Sequence, residues 1–170
     1  VPKGITSIQD YAFAHCKILQ TVSLPNTLRT IGKSAFLLCT TLISVRIPGS
    51  VSSIGTGAFA CCSSLKSAVL DSNMQIYNDL KTIPNAIFYQ CTSLTQVELP
   101  YGLEMIGLKA FDGCKALKEI KIPFYVRQIR TGAFHNCNRL SLVKMPLGLN
   151  YDDHEVFGEN SDPLVQRYIL

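Results

Sequence analysis

The chain has 170 residues, 47% of them apolar and 16% charged, with a formal net charge of +4. So apolar a composition excludes a disordered chain, and the longest uncharged stretch, 47–65, is full of Ser and Gly, so no membrane insertion is expected. The Lys and Arg residues are scattered, so no nucleic-acid partner is expected either.

Taken from the N-terminus, one unit recurs. The first, 2–24, holds Ile8, Ala12-Phe13, Cys16, Leu19 and the alternating pair Val22 and Leu24. The second, 25–47, opens on Pro25 and repeats the set as Ile31, Ala35-Phe36, Cys39, Leu42, Val45 and Ile47. The third, 48–70, runs from Pro48 through Ile54, Ala58-Phe59, Cys62 and Leu65, with Ala68 in place of the first strand aliphatic. The fourth, 71–99, begins on Asp71 instead of Pro and takes six extra residues within 71–79. It also carries Pro84 and Ile87 where Gly and Ala stand elsewhere, yet keeps Ile83, Phe88, Cys91, Leu94, Val97 and Leu99. The fifth, 100–122, and sixth, 123–145, are regular, with Phe111 and Cys114, then Phe134 and Cys137. Beyond Pro146 the pattern decays: Asp152 stands where Ile is expected and Asn160 where Cys is expected, while Phe157 alone keeps phase. The segment 146–170 is expected to be a degenerate C-terminal cap, because end coils need a solvated outer face. The first unit shows no such decay. Further repeats, or a separate cap, are therefore expected before Val1. No signal peptide is read at the opening Val1-Pro2-Lys3, which suits a mature product or a fragment.

A unit of 23 residues cannot bury its own apolar set, but stacked copies can. The Val-x-Ile segment alternates apolar and polar residues and reads as a short strand closed by Pro. Stacking sets equivalent strands about 4.8 Å apart in a parallel sheet. Ala-Phe-x-x-Cys is expected to form one helical or 3₁₀ turn, and Gly32, Gly55 and Gly107 to serve a tight bend before it.

The pattern Leu-x-x-Ile-x-Ile-Pro-x-x-Val-x-x-Ile-x-x-x-Ala-Phe-x-x-Cys, intact from Leu117 to Cys137, resembles the BspA-like leucine-rich repeats of the Treponema pallidum type. The resemblance covers residues 2–145. It implies an α/β leucine-rich-repeat solenoid: a right-handed superhelix of about seven coils, with a parallel sheet of short strands and short helical or 3₁₀ turns. It also implies a non-enzymatic protein-recognition module in adhesion or partner binding, at a cell surface or secreted. The family brings no catalytic residues.

Nothing in the residues argues for chemistry. Six of the seven cysteines obey the repeat without a Cys-x-x-Cys pair, so a ladder of buried, reduced thiols is expected, with no metal or cofactor. Disulfides between adjacent coils are the alternative, disfavoured because ladder side chains point in parallel. Cys61 is off-phase, and is expected to be exposed and the first thiol to react. His15, His135 and His154 share no phase, so no Cys-His pair is expected.

Recognition must use the variable positions. On the strands the outward residues include Arg46, Glu98, Glu119, Lys121 and Lys144, either as a solvated face with ion pairs or as a binding surface. After the closing prolines come Tyr101, Phe124, Tyr125 and Leu147, with Tyr77 in the insertion. Two readings of these stand side by side: an apolar strip for a protein ligand, or a local lid. A rival function is a structural spacer that self-associates end to end.

Overall fold

The computed structural model describes residues 1–72, 80–151, 153–158 and 163–169. In chain order the strands are β1 (Ser7–Ile8), β2 (Thr30–Ile31), β3 (Ser44–Ile47), β4 (Ser53–Ile54), β5 (Ser67–Leu70), β6 (Thr82–Ile83) and β7 (Gln96–Glu98). They continue as β8 (Met105–Ile106), β9 (Glu119–Lys121), β10 (Gln128–Ile129) and β11 (Leu142–Pro146), then helix α1 (Asp153–Phe157) and β12 (Leu164–Tyr168). Each of the second to sixth coils therefore contributes two strands, one more than the sequence reading anticipated, while the first gives β1 and an isolated bridge at Thr21. The second line of strands forms around the Ile that precedes each Phe by five. All pairings are parallel and match equivalent residues of successive units, as in Ile31 with Ile54 and Ser44 with Ser67.

The core lies inside the coils. Inward strand residues such as Val45, Ile47, Ile120 and Val143 are buried, while Arg46 and Lys121 between them face out. Phe13, Phe36, Phe59, Phe88, Phe111, Phe134 and Phe157 form one continuous column with successive ring centroids 5.1, 4.9, 5.9, 5.7, 5.2 and 5.7 Å apart. Seven rings make six rises, so the solenoid has about six turns rather than seven. Phe13 is only partly buried, because no coil covers it on its outer side.

The Ala-Phe-x-x-Cys segment is a hydrogen-bonded turn, not a 3₁₀ turn. The residue before Ala and the residue before Cys take left-handed conformations, the first as at Ser34 (φ 51), the second as at His15 (φ 62), Leu38 (φ 59) and Asn136 (φ 55), and left-handed residues interrupt any helix. The turn instead bonds along the stack: the amides of Ser34, Phe36 and Leu38 donate to the carbonyls of Thr56, Ala58 and Ala60 of the next coil. Gly32, Gly55 and Gly107 do not serve a bend with positive φ. They allow close approach of coils, since a Cβ at Gly55 would lie 2.3 Å from the Lys33 amide nitrogen.

The thiol ladder has a job that the spacing did not reveal. The Sγ of Cys39, Cys62, Cys91, Cys114 and Cys137 donates to the carbonyl of Phe13, Phe36, Phe59, Phe88 and Phe111 in the preceding coil, at 3.1–3.3 Å. A small, weak donor thus meets an inward carbonyl that an aliphatic side chain would leave with less. All seven cysteines are free.

One coil is tilted. Strand β6 pairs with β8 ahead but not with β4 behind, whereas β7 pairs with β5 behind but not with β9 ahead. The coil that carries β6 and β7 is therefore closed against its predecessor on one side and against its successor on the other. The Phe88 ring is inclined by 25° to Phe59 and 27° to Phe111, as Phe157 is by 24° to Phe134, against 2–7° for Phe13–Phe36, Phe36–Phe59 and Phe111–Phe134. The turn side remains bonded throughout, with Phe59 to Ile87 and Phe88 to Ala110, and acts as the pivot. This is the unit with six extra residues.

The last segment is more regular than its sequence suggests. Strand β12 adds a rung beside β11, with Leu142 opposite Leu164, and Leu149 and Phe157 are buried in the standard places. The Arg167 guanidinium donates to the carbonyls of Pro146, Leu147 and Leu149, tying the preceding loop to the end of the stack.

Candidate functional site

The tilt opens the outward sheet between β7 and β9. The inward strand residues of the neighbouring coils, such as Ala68, Leu70, Ile120 and Ile122, are buried, but Val97 and Leu99 at this split are only partly so. A cleft of about 340 Å³ lies there, lined by Ser72, Val97, Glu98, Leu99, Tyr101, Lys121, Pro123, Phe124 and Tyr168.

Three exposed aromatics stand at its rim because each follows a closing Pro, and stacking carries them into register. The Tyr101 and Tyr125 rings meet edge to face at 5.3 Å, and Phe124 meets Tyr125 the same way at 5.5 Å. Tyr101 is 53% exposed and its amide donates to Ser72 Oγ at 2.9 Å, which anchors the loop to the preceding coil. A hydrogen bond with Tyr125 pushes the Tyr101 hydroxyl up from its ordinary value. Tyr168 reaches back from β12 to donate its hydroxyl to the Ile122 carbonyl, and burial pushes that phenol up.

The charges on this face sort into pairs with two exceptions. Arg46 holds Asp71 through Nη2 and Nε, each at 2.8 Å, and Lys144 lies 3.6 Å from Glu119. Glu98 and Lys121 occupy adjacent rungs of one stripe, yet neither forms an ion pair among the described residues. Glu98 accepts only the Gln96 amide at 3.0 Å, and the Lys121 ammonium sits over the Tyr168 ring at 5.3 Å.

The structure thus gathers Tyr101, Phe124, Tyr125, Glu98 and Lys121 at one split. It sets Arg46 two rungs away in its pair with Asp71. Leu147 lies one rung beyond Phe124 and is 58% exposed, its amide bound to the Tyr168 carbonyl, outside the cleft lining. Tyr77 lies outside the described residues. Sequence reasoning missed Tyr168, which sits where the repeat has decayed, and Ser72, which carries no repeat signal. It also missed that the sheet parts between β7 and β9.

The reactive-thiol expectation needs correction. Cys61 is half-buried, its left-handed backbone (φ 59) bonds to the Tyr89 carbonyl at 2.7 Å, and burial pushes its thiol up. Cys16 is equally half-buried, because it lies in the first coil. Among the described residues no group of three His, Cys, Asp or Glu is placed to hold a metal ion, and no helix is long and apolar enough to cross a membrane.

Comparison with known proteins agrees with this geometry. Curated proteins give no significant match. Among solved structures, the leucine-rich repeat protein of T. pallidum is 32% identical with a TM-score of 0.60, over 69% of this chain and 52% of that one. A leucine-rich repeat protein from Bacteroides ovatus is 24% identical with a TM-score of 0.63, over 97% of this chain and 52% of that one. A third, from Eubacterium ventriosum, is 26% identical with a TM-score of 0.61, over 91% of this chain and 46% of that one. The chain spans about half the length of these relatives. A family model for the BspA type leucine rich repeat region matches in six copies over residues 1–80 and 72–166. With the ring column, the thiol ladder and the paired strands all in phase with those copies, the chain belongs to the BspA-type leucine-rich repeat family.

Proposed function

We propose that this chain is a non-enzymatic protein-recognition module that serves adhesion or partner binding at a cell surface, as its family of protein-interaction repeats suggests. The observation that carries the reading is the exposed aromatic strip of Tyr101, Tyr125 and Phe124 beside the sheet split. Inward residues are committed to the stack, whereas these rings leave large apolar area in water, where a partner recovers it. Beads coated with the chain test the reading on panels of bacterial and epithelial cells, before and after protease treatment of the cells. Adhesion is expected to depend on cell-surface protein and to vanish in the Tyr101→Ser, Phe124→Ser double variant at unchanged thermal midpoint. A sharp fall of the midpoint would identify the strip as a structural lid instead, and adhesion unaffected by the variant would refute the site.

A second reading, a self-associating spacer, draws on the first coil, where Phe13, Cys16, Leu19 and Val22 are only partly covered while their equivalents in the second coil, Phe36, Cys39, Leu42 and Val45, are buried. Head-to-tail stacking on the β12 end would continue the parallel sheet. Sedimentation over a hundredfold concentration range separates the two: a growing mass supports the spacer, a constant monomer the recognition module.

A further inference from the structure

We infer that the cleft between β7 and β9 takes an extended peptide segment that carries one basic and one acidic side chain two residues apart, the basic one on Glu98 and the acidic one on Lys121. This rests on the protein-recognition reading and names the chemistry of its partner.

Charge and spacing carry the inference. In a regular parallel sheet equivalent residues on neighbouring strands stand about 4.8 Å apart, close enough for opposite charges to pair. Charges elsewhere on this face pair diagonally, two residues out of register: Arg46, opposite Val69, with Asp71, and Lys144, opposite Lys121, with Glu119. Glu98 and Lys121 hold equivalent positions on neighbouring strands that do not pair, and both line the cleft. The strands β7 and β9 do not pair, yet Cα atoms of the two still come within 8 Å of each other. An acceptor and a cation thus stand on either side of the split, more than a paired strand spacing apart, above a floor of partly exposed Val97 and Leu99. An extended chain places side chains i and i+2 on one side, about 6.6 Å apart. A peptide that runs along the solenoid axis, across the split, therefore sets two side chains down on the two charges while its backbone passes over the floor. The Tyr101, Tyr125 and Phe124 ridge stands on one side only, so it fixes the direction of the peptide and makes the order of the two charges matter. Lys121 need only leave the face of Tyr168 to meet its partner.

Fluorescence anisotropy with labelled nine-residue synthetic peptides tests this. The set holds Arg-Ser-Glu and Glu-Ser-Arg centres, the same charges placed side by side, and a neutral Gln-Ser-Gln centre. One order of the spaced pair is expected to bind most tightly, by about five- to tenfold over the neutral peptide, which is what two exposed charge contacts supply. The charge-swapped chain, Glu98→Lys with Lys121→Glu, is expected to prefer the opposite order. Both positions are exposed, so the swap leaves the fold intact, as the thermal midpoint will report. Equal binding of charged and neutral peptides, a preference that survives the swap, or no binding up to millimolar peptide overturns the inference. Should the strip variant lose cell adhesion while peptides show no charge preference, recognition stands and this partner chemistry falls. Absent adhesion together with absent peptide binding removes both.

Discussion

Replacing Phe111 by Ala removes an interior ring of the column. Phe111 is fully buried and lies between Phe88 at 5.7 Å and Phe134 at 5.2 Å, so both its faces are covered by other rings. Truncating a large buried aromatic costs about 3–5 kcal/mol, and the loss of two ring contacts puts this site in the upper half, about 4–5 kcal/mol. Phe13 is the internal control. It occupies the same place on its coil but has one ring neighbour, at 5.1 Å, and is only partly covered. Phe13→Ala should therefore cost less than half as much, about 1–2 kcal/mol. Urea unfolding followed by circular dichroism gives both values from the midpoint and slope. Since coils interact only with their neighbours, a damaged central coil is also expected to lower the slope, as the two halves of the stack begin to melt separately. A Phe111→Ala cost below about 1 kcal/mol, or one equal to that of Phe13→Ala, would refute the column as the main source of cohesion.

Two further outcomes follow from the thiol ladder. A native-state thiol reagent should label Cys16 and Cys61 first, because these are half-buried, and reach Cys39, Cys62, Cys91, Cys114 and Cys137 only on unfolding; fast labelling of more than two would contradict the burial. Burial pushes the thiols of Cys91 and Cys114 up and that of Cys137 up to about 12, while the unfolded chain titrates near the ordinary 9.0. Above that value the unfolded state loses protons that the folded state keeps, so stability is fully present below pH 9 and falls as pH rises further, by about 1.4 kcal/mol per pH unit for each such thiol. Urea midpoints from pH 7 to 11 should bend downward above 9, and the Cys91→Ala, Cys114→Ala, Cys137→Ala variant should flatten the bend; a wild-type profile flat to pH 11 would contradict the coupling.

The stack was legible in the sequence because its period is enforced by burial. Every Phe, Cys and Ile that recurs does so because it meets its own copy 23 residues away, as Phe36 meets Phe59, or 29 away across the insertion, as Phe59 meets Phe88. What escaped were features that depend on backbone geometry rather than on side-chain type. The left-handed positions accept Ser34, Leu38, Lys109 and Gly132 alike, so no residue signature marks them. The role of Cys as donor to the preceding Phe carbonyl leaves only its small size in the sequence. The aromatic rim was legible from its offset to Pro100 and Pro123, but Tyr168 was not, because its rung follows α1 rather than a regular turn. The final rung itself escaped because Arg167 and β12 restore by hydrogen bonding what the apolar pattern had dropped.

The same period explains why the candidate site sits where it does. A perfect repeat would present a uniform ribbon, with each outward charge facing its neighbour and no concavity. Recognition needs a break that costs little, and the fold offers one where coils are held by two independent ladders. The turn ladder stays bonded from Phe59 through Ile87 to Ala110, and preserves the ring column, while the strand ladders part at β4–β6 and β7–β9. Because the two gaps lie on opposite sides of one coil, neither cuts the molecule in two. Each is bridged by the other ladder at the same level: β5–β7 spans the level of the first gap and β6–β8 that of the second. A single tilted coil can therefore expose Val97, Leu99, Glu98 and Lys121 without opening the core beneath Phe88, which remains fully buried. The irregular unit, not the regular ones around it, is what turns a stacked scaffold into a surface with one distinguishable place to bind.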